Sequence, residues 1–241
     1  KDARITLLTT SPYADLAEAS GYFNAIWIDE RPQWWQVRRW LDLKRRFAEA
    51  GFGRVYDLQT SDRSGFYYRL LAEPKPEWSG IARGCSHPHL NPKRDFLHTV
   101  DRQREQLAAA GIDDVALPEL DWAGGDIAAL GLDRPFVLLV PGGSAHRPAK
   151  RWPIAGYAAL ANSLVDRGYQ PVLIGTGAEA QRNAEIAAAC AQAVNLTGRT
   201  SLFDLASLAR EAAGAVGNDN GPMHLVAAAG CPTLVLFSSA S

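Results

Sequence analysis

The sequence predicts an α/β protein built on parallel sheets, and three observations carry that prediction. Short strand-like runs alternate with helix-like stretches along most of the 241 residues. The connections in the second half are short, as βα units require. Residues able to do chemistry gather where strands end, which is where such sheets bind ligands.

In the first half, Ile5–Leu8, Ala25–Ile28, Arg54–Leu58 and Trp78–Ile81 read as strands. One helix is expected over Trp34–Ala50 and a second over Arg94–Ala110, with Gly51 and Gly111 just past their ends. The stretch Pro118–Pro135, with scattered Gly, Asp and Pro, reads as a linker holding a short helix at Gly125–Leu130. The second half opens on the apolar run Phe136–Val140, a strand. It continues with helix Ile154–Arg167 closed by Gly168, strand Pro171–Ile174, helix Ala178–Ala191 and short strand Ala193–Leu196. Ser201 and Asp204 have capping-box spacing at the start of helix Ser201–Ala212. Ala215–Val216, Pro222–Ala229 and Thr233–Phe237 complete the series, with Gly230 closing the last helix. The expected domains are 1–132 and 133–241. Both ends look clipped, because strands lie almost at the first and last residues.

A hydrophobic content of 47% with 21% charged residues is that of an ordinary globular protein, and the net charge of −1 gives no reason to propose nucleic acid as a partner. Cys85, Cys190 and Cys231 are few and far apart, which fits reduced thiols better than a disulfide framework. No apolar run reaches membrane-spanning length, and no signal peptide is visible.

Three strand ends carry unusual residues. After Phe136–Val140 come Pro141-Gly142-Gly143-Ser144 and then Lys150-Arg151-Trp152-Pro153. The glycines allow close approach to a ligand, Ser144 offers a hydroxyl and Lys150 a charge. After Pro171–Ile174 comes Gly175-Thr176-Gly177-Ala178-Glu179-Ala180, which imitates a dinucleotide fingerprint but lacks an acidic residue at ribose distance downstream. Glu179 could bond a ribose itself, or only counter a helix dipole. The third end is Gly217-Asn218-Asp219-Asn220-Gly221-Pro222-Met223-His224, where a helix starts and its N–H groups would meet an anion. Asp219 could instead only satisfy those N–H groups, and His224 could be a core residue.

These residues resemble the ADP-heptose:lipopolysaccharide heptosyltransferase family of GT-B glycosyltransferases (glycosyltransferase family 9). The resemblance rests on Lys150-Arg151-Trp152-Pro153, the turn with Glu179, Asn195-Leu196-Thr197-Gly198-Arg199-Thr200-Ser201-Leu202, and Asp219-Asn220-Gly221-Pro222-Met223-His224. It is looser in the first half, at Asp57-Leu58-Gln59-Thr60-Ser61-Asp62-Arg63-Ser64 and around His98–Leu107. It implies two Rossmann-like domains with parallel sheets facing a cleft, the first lacking its first strand and helix. It also implies an inverting, metal-independent transfer of a heptose or related sugar from ADP-heptose to a lipopolysaccharide-core-type saccharide, with no cofactor. Gly142, Gly143 and Ser144 would contact phosphate, and Lys150 would neutralise the diphosphate. Glu179 would hold the ribose, and Thr200 would lie near the adenine. Asp219, Asn220, Gly221, Pro222, Met223 and His224 would complete the donor site, with Lys150 and Asp219 stabilising the leaving group. The family usually has Ser or Thr at the position of Asn220, and its general base lies in a segment this chain does not carry.

Gln59, Ser61 and Arg63, just past a strand end, are candidates for the acceptor side. The basic, aromatic stretch Trp34–Phe47 reads as an amphipathic helix with a solvated face, and could attract anionic lipid or a phosphorylated saccharide. The implied setting is cytoplasmic, with peripheral contact with the inner membrane of a Gram-negative bacterium left open. Cys85-Ser86-His87-Pro88-His89 is too short of ligands for a metal site. A non-catalytic nucleotide-sugar-binding module and an NAD-dependent oxidoreductase are the alternative functions.

Overall fold

The computed structural model describes residues 3–117, 119–133, 135–143, 149 and 151–237. Its first half contains β1 (Thr6–Thr9), α1 (Ala14–Ala19), β2 (Ala25–Ile28), α2 (Val37–Ala50), β3 (Arg54–Tyr56), α3 (Asp62–Leu70), β4 (Glu77–Gly80), β5 (His87–Pro88) and α4 (Thr99–Ala108). The second half contains β6 (Phe136–Val140), α5 (Ile154–Asp166), β7 (Gln170–Leu173), α6 (Ala180–Ala188), β8 (Val194–Asn195), α7 (Leu202–Glu211), β9 (Gly214–Asn218), α8 (Gly221–Ala228) and β10 (Thr233–Leu236). Every strand pairing among the described residues is parallel. The α/β class with parallel sheets is therefore the fold observed.

Among the described residues the strands form three sheets: β1-β2, β3-β4-β5 and β10-β9-β6-β7-β8. Proximity groups Lys1–Ile28 with Pro118–Ser241 as one compact unit and leaves Asp29–Leu117 as the other. The sequence reading placed its division at 132/133, and the five-stranded sheet begins at Phe136.

β6 shows why the larger unit folds as it does. All five of its side chains are apolar and buried, so both faces of the sheet need covering. Alternate side chains point to opposite faces. Phe136, Leu138 and Val140 pack with Leu205 and Leu208 of α7 and Met223 and Val226 of α8. Val137 and Leu139 pack with Tyr157 and Ala161 of α5 and Ile186 of α6.

Several expected boundaries move for local reasons. Residues 34–36 are not helical, because the Gln33 carbonyl accepts from the Gln36 N–H and the Trp40 indole, and α2 starts only at Val37. Arg94–Phe96 is a separate 3-10 turn, and extended Leu97 breaks the predicted helix before α4. Expected strand Arg54–Leu58 stops at Tyr56. Helix α3 was not expected. Ser61 caps it by accepting from the Ser64 N–H, while the Ser64 hydroxyl accepts from the Ser61 N–H.

Helix α8 lies close on β9 because position 217 is glycine. A Cβ there would sit 2.6 Å from Met223 Cγ and Sδ and 2.9 Å from Val140 Cβ. Gly217→Ala should therefore destabilise the larger unit by about 1–3 kcal/mol, as overpacking does. Urea unfolding measures this, and an unchanged midpoint would contradict the close packing.

Candidate functional site

β6 comes first in the sequence of its sheet and stands in the middle of it, with β7 and β8 added on one side and β9 and β10 on the other. The winding reverses between β6 and β9, and in sheets of this kind ligands bind at the carboxyl ends of the strands beside such a reversal. A hollow of about 320 Å³ lined by Gly125, Asp126, Leu132, Phe136 and Glu211 lies instead at the amino end of β6, the wrong edge for a ligand of this fold.

This edge is held together by Asn218, the last residue of β9, which is fully buried. Its Nδ2 donates to the carbonyls of Pro141 at 2.8 Å and Gly142 at 3.0 Å. Its Oδ1 accepts from the Trp152 N–H at 3.0 Å and the Tyr157 hydroxyl at 3.2 Å. Burial pushes the Tyr157 phenol up, so it stays protonated as the donor. Asn220 adds a second tie. Its Nδ2 donates to the same Gly142 carbonyl at 3.0 Å, and its Oδ1 caps α8 by accepting from the Met223 N–H at 3.1 Å.

The neighbouring strand ends are joined to this one. Glu179 lies against Gly142, where an added Cβ would meet its Cγ at 3.1 Å and its Cδ at 3.2 Å. The Glu179 carboxylate also accepts from the Thr176 N–H at 2.8 Å and hydroxyl at 2.7 Å, closing a capping box with Thr176 that the sequence reading did not foresee. The Gly198 N–H donates to the Gly175 carbonyl at 2.8 Å, tying the β8 connection to that of β7. Half-buried Thr200 follows in that connection, immediately before Ser201, the cap of α7. Gly175 is itself explained by packing. A Cβ there would sit 2.8 Å from Asn183 Nδ2 and 2.9 Å from Glu179 Cβ, so its glycine needs no dinucleotide to account for it.

The start of α8 carries Asp219 and His224, with His224 Nε2 3.7 Å from Asp219 Oδ1. His224 is 79% exposed in its side chain, which removes the core-histidine reading. The expected cluster of open N–H groups is narrower than the sequence suggested. Pro222 has none, the Met223 N–H is capped by Asn220, and the His224 N–H lies 3.4 Å from the Asn220 carbonyl. Gly221 supplies the remaining N–H of that turn. Met223 was expected to contact the donor, yet its side chain is 1% exposed and belongs to the core. Gly143 faces Arg151, whose Nη2 donates to the Gly143 carbonyl at 2.6 Å. Ser144 and Lys150 lie outside the described residues. Tyr13 was not foreseen: a Cβ at Gly221 would be 3.8 Å from its hydroxyl. A tyrosine in a turn leaves no sequence signal for such a placement.

The acceptor-side candidates belong to the other unit. Gln59 is exposed, Ser61 caps α3, and Arg63 Nη1 donates to the Pro32 carbonyl at 3.2 Å. Beneath them lies Asp57, a residue the sequence reading left unassigned. It is 6% exposed, and its Oδ1 accepts from the N–H of Thr60, which has a left-handed φ of 48°. Gln106 Nε2 donates to the Asp57 carbonyl at 2.9 Å. Desolvation pushes the Asp57 carboxyl above its ordinary range, against the pull of the Thr60 N–H. Among the described residues no group of three or more His, Cys, Asp or Glu is placed to hold a metal ion. No helix among them is long and apolar enough to cross a membrane.

The parallel sheet with its reversal between β6 and β9 is that of a doubly wound, Rossmann-like α/β domain, and the chain belongs to glycosyltransferase family 9 (heptosyltransferase), whose profile matches residues 40–241. Lipopolysaccharide heptosyltransferase 2 of Escherichia coli is 38% identical over 118 residues, which is 47% of this chain and 34% of that protein. Lipopolysaccharide heptosyltransferase 1 of Pseudomonas aeruginosa is 30% identical over 229 residues, 86% of this chain and 61% of that protein. The solved structure of E. coli ADP-heptose lps heptosyltransferase II superposes with a TM-score of 0.72 at 25% identity, covering 98% of this chain and 76% of that one. The matches to these two curated relatives thus span 34% and 61% of their lengths.

Asn218→Asp keeps the shape but turns an oxygen toward the Pro141 and Gly142 carbonyls. It should cost about 3–5 kcal/mol at neutral pH, and less in acid, where the protonated side chain can again donate. Urea unfolding at both pH values, beside the parent, tests this; equal stability would contradict the assigned bonds. Asp57→Asn should act in the opposite direction. A raised folded pKa means that ionised Asp57 costs stability above that pKa and that acidification relieves the cost. The variant should be more stable than the parent at neutral pH, and the gap should close as the pH drops through the carboxylate range. A gap independent of pH would contradict it.

Proposed function

We propose that this chain contributes the nucleotide-sugar-binding part, and some of the acceptor side, of a glycosyltransferase. The enzyme moves a heptose or related sugar from ADP-heptose to a lipopolysaccharide-core-type saccharide, by direct displacement with inversion. One observation carries the reading: in a family 9 chain, the connections after β6, β7, β8 and β9 are fastened to one another at the reversal of the sheet, with Gly142, Glu179 and Asp219 among them. The solved E. coli relative acts with ADP-heptose by its description, which supports the same donor here.

The roles follow from the charge that moves. As the anomeric bond breaks, the leaving nucleoside diphosphate gains negative charge. Groups aimed at that oxygen stabilise the transition state more than the ground state. Lys150 and the amides of Gly142, Gly143 and Ser144 serve the diphosphate in this reading, and the Gly221 N–H adds one donor. Glu179 takes the ribose hydroxyls, with Thr200 beside the base. Asp219 and His224 face the sugar and its phosphate, while Asn220, Pro222 and Met223 shape the turn that holds them. Positive charge and helix dipole take the place of a metal ion, and no cofactor is needed. The acceptor is a saccharide that is lipid-linked, so the work is done in the cytoplasm beside the inner membrane.

Lys150→Ala should weaken ADP-heptose binding by about tenfold or more, as loss of a charge-assisted bond does, in a calorimetric titration. Lys150→Ala and Asp219→Ala, each placed in a transferase that carries this chain, should each lower sugar transfer by about a hundredfold with unchanged circular dichroism. Unaltered turnover in both variants would refute the reading, as would micromolar NAD(H) binding with no response to ADP-sugars.

A further inference from the structure

Tyr13 stands where folding alone gives no reason for a tyrosine. It closes a 3-10 turn, Ser11–Tyr13, that follows β1, and α1 starts directly from it. Helices start best from Ser, Thr, Asp or Asn, whose side chains satisfy a first-turn N–H. Tyr13 makes no such cap. Nor does it fill the core, since it is 51% exposed. A residue that gives up both the cap and burial marks the kind of position at which function overrides local preference.

What the phenol does have is a fixed place. Pro12 presets the backbone of the turn, and the Tyr13 N–H donates to the Thr10 carbonyl at 3.0 Å. β1 pairs in parallel with β2. Just before β2, Tyr22 meets Trp122 edge-on at 6.1 Å, within the same compact unit. The connection leaving β1 is set beside the one leaving β9: a Cβ added at Gly221 would lie 3.8 Å from the Tyr13 hydroxyl oxygen. Among the described residues that hydroxyl has no hydrogen-bond partner. The spot it reaches is short of donors. Pro222 has no N–H, the Met223 N–H is taken by Asn220, and the His224 N–H turns toward the Asn220 carbonyl, which leaves Gly221. A phenol O–H beside the Gly221 N–H supplies a second donor from a different sheet. Two converging donors suit an oxygen that carries negative charge better than a sugar hydroxyl, which brings a proton of its own.

We propose that Tyr13 is a further catalytic residue of the transfer, its hydroxyl donating to the phosphate next to the sugar, alongside the Gly221 N–H. When the bond from the anomeric carbon to that phosphate's oxygen breaks, the electron pair stays on the oxygen. A hydrogen bond to the phosphate then strengthens as charge grows, so it stabilises the transition state more than the bound donor. The inference rests on the reading of this edge as a nucleotide-sugar site. It adds a residue from the chain's first sheet to that site and fixes the phosphate on which the residue acts.

The test is calorimetric titration of the full chain and of Tyr13→Phe with ADP and with AMP, which lacks the phosphate in question. The variant should bind ADP about tenfold more weakly, as loss of a hydrogen bond to a charged group does, and AMP as well as the parent does. In a transferase that carries this chain, Tyr13→Phe should lower kcat about tenfold to a hundredfold. The melting curve should stay parental, because the ring is kept and half-exposed. Equal ADP affinity in the two proteins would overturn the proposal and leave the nucleotide-sugar reading standing. AMP weakened as much as ADP would also overturn it, by moving the hydroxyl to the first phosphate or the nucleoside. A loss seen with ADP-heptose but not with ADP would do so by moving it to the sugar. A parent that binds neither nucleotide would overturn both readings together.

Discussion

One buried primary amide holds the functional edge of the larger unit together. Where β6 ends, the carbonyls of Pro141 and Gly142 are in an interior that water does not reach, and leaving either without a donor would cost about 1–3 kcal/mol. Asn218 answers both with one NH₂ group, and its oxygen takes up the Trp152 N–H and the Tyr157 hydroxyl. An amide alone offers two donors and an acceptor oxygen at so short a reach. Pro141 and Gly142, the end of β9, Trp152 and the first turn of α5 are thereby tied together before any ligand arrives. Preorganisation of this kind lowers the ordering cost of binding.

The rest of the edge is built outward from that piece. Asn220 shares the Gly142 carbonyl with Asn218 and caps α8, so the start of that helix is fixed to the chain leaving β6. Gly217 lets the same helix settle onto β9. Capping has a consequence for function. Once Pro222 and Asn220 have removed most of the first-turn donors, the helix alone is a modest anion site. In the proposed transfer, side-chain cations would then carry much of the charge of the leaving diphosphate, the part the proposal gives to Lys150.

The layout of the larger unit was legible in the sequence because its strands are short apolar runs separated by glycine and proline, and β6 is the plainest of them. Three of the candidate stretches were legible for the same reason, since in a parallel sheet a polar, glycine-containing stretch after an apolar run is a carboxyl-end loop, whereas Asn195–Leu202 was picked out only by the family resemblance. What stayed hidden depended on neighbours distant in the chain. Asn218 sits among Gly, Asp and Asn, where any asparagine reads as a turn residue, and only Pro141 and Tyr157 across the sheet reveal its work. Helix α3 escaped because its cap is a reciprocal serine pair rather than Ser with Glu or Gln. The helix expected from Trp34 begins later because the Trp40 indole bonds back to Gln33. The side chain of Met223, taken with its neighbours as donor-facing, is claimed by the core through the missing Cβ of Gly217.

The central claim is that the joined connections after β6, β7, β8 and β9 form one nucleotide-sugar pocket. Amide hydrogen exchange of the chain with and without ADP-heptose tests it most directly. Slowed exchange concentrated at 142–143, 175–179, 198–201 and 219–224, lost together in an Asn218 variant that remains folded, is the predicted result. Protection confined to a single connection, or lying elsewhere in the chain, would contradict it.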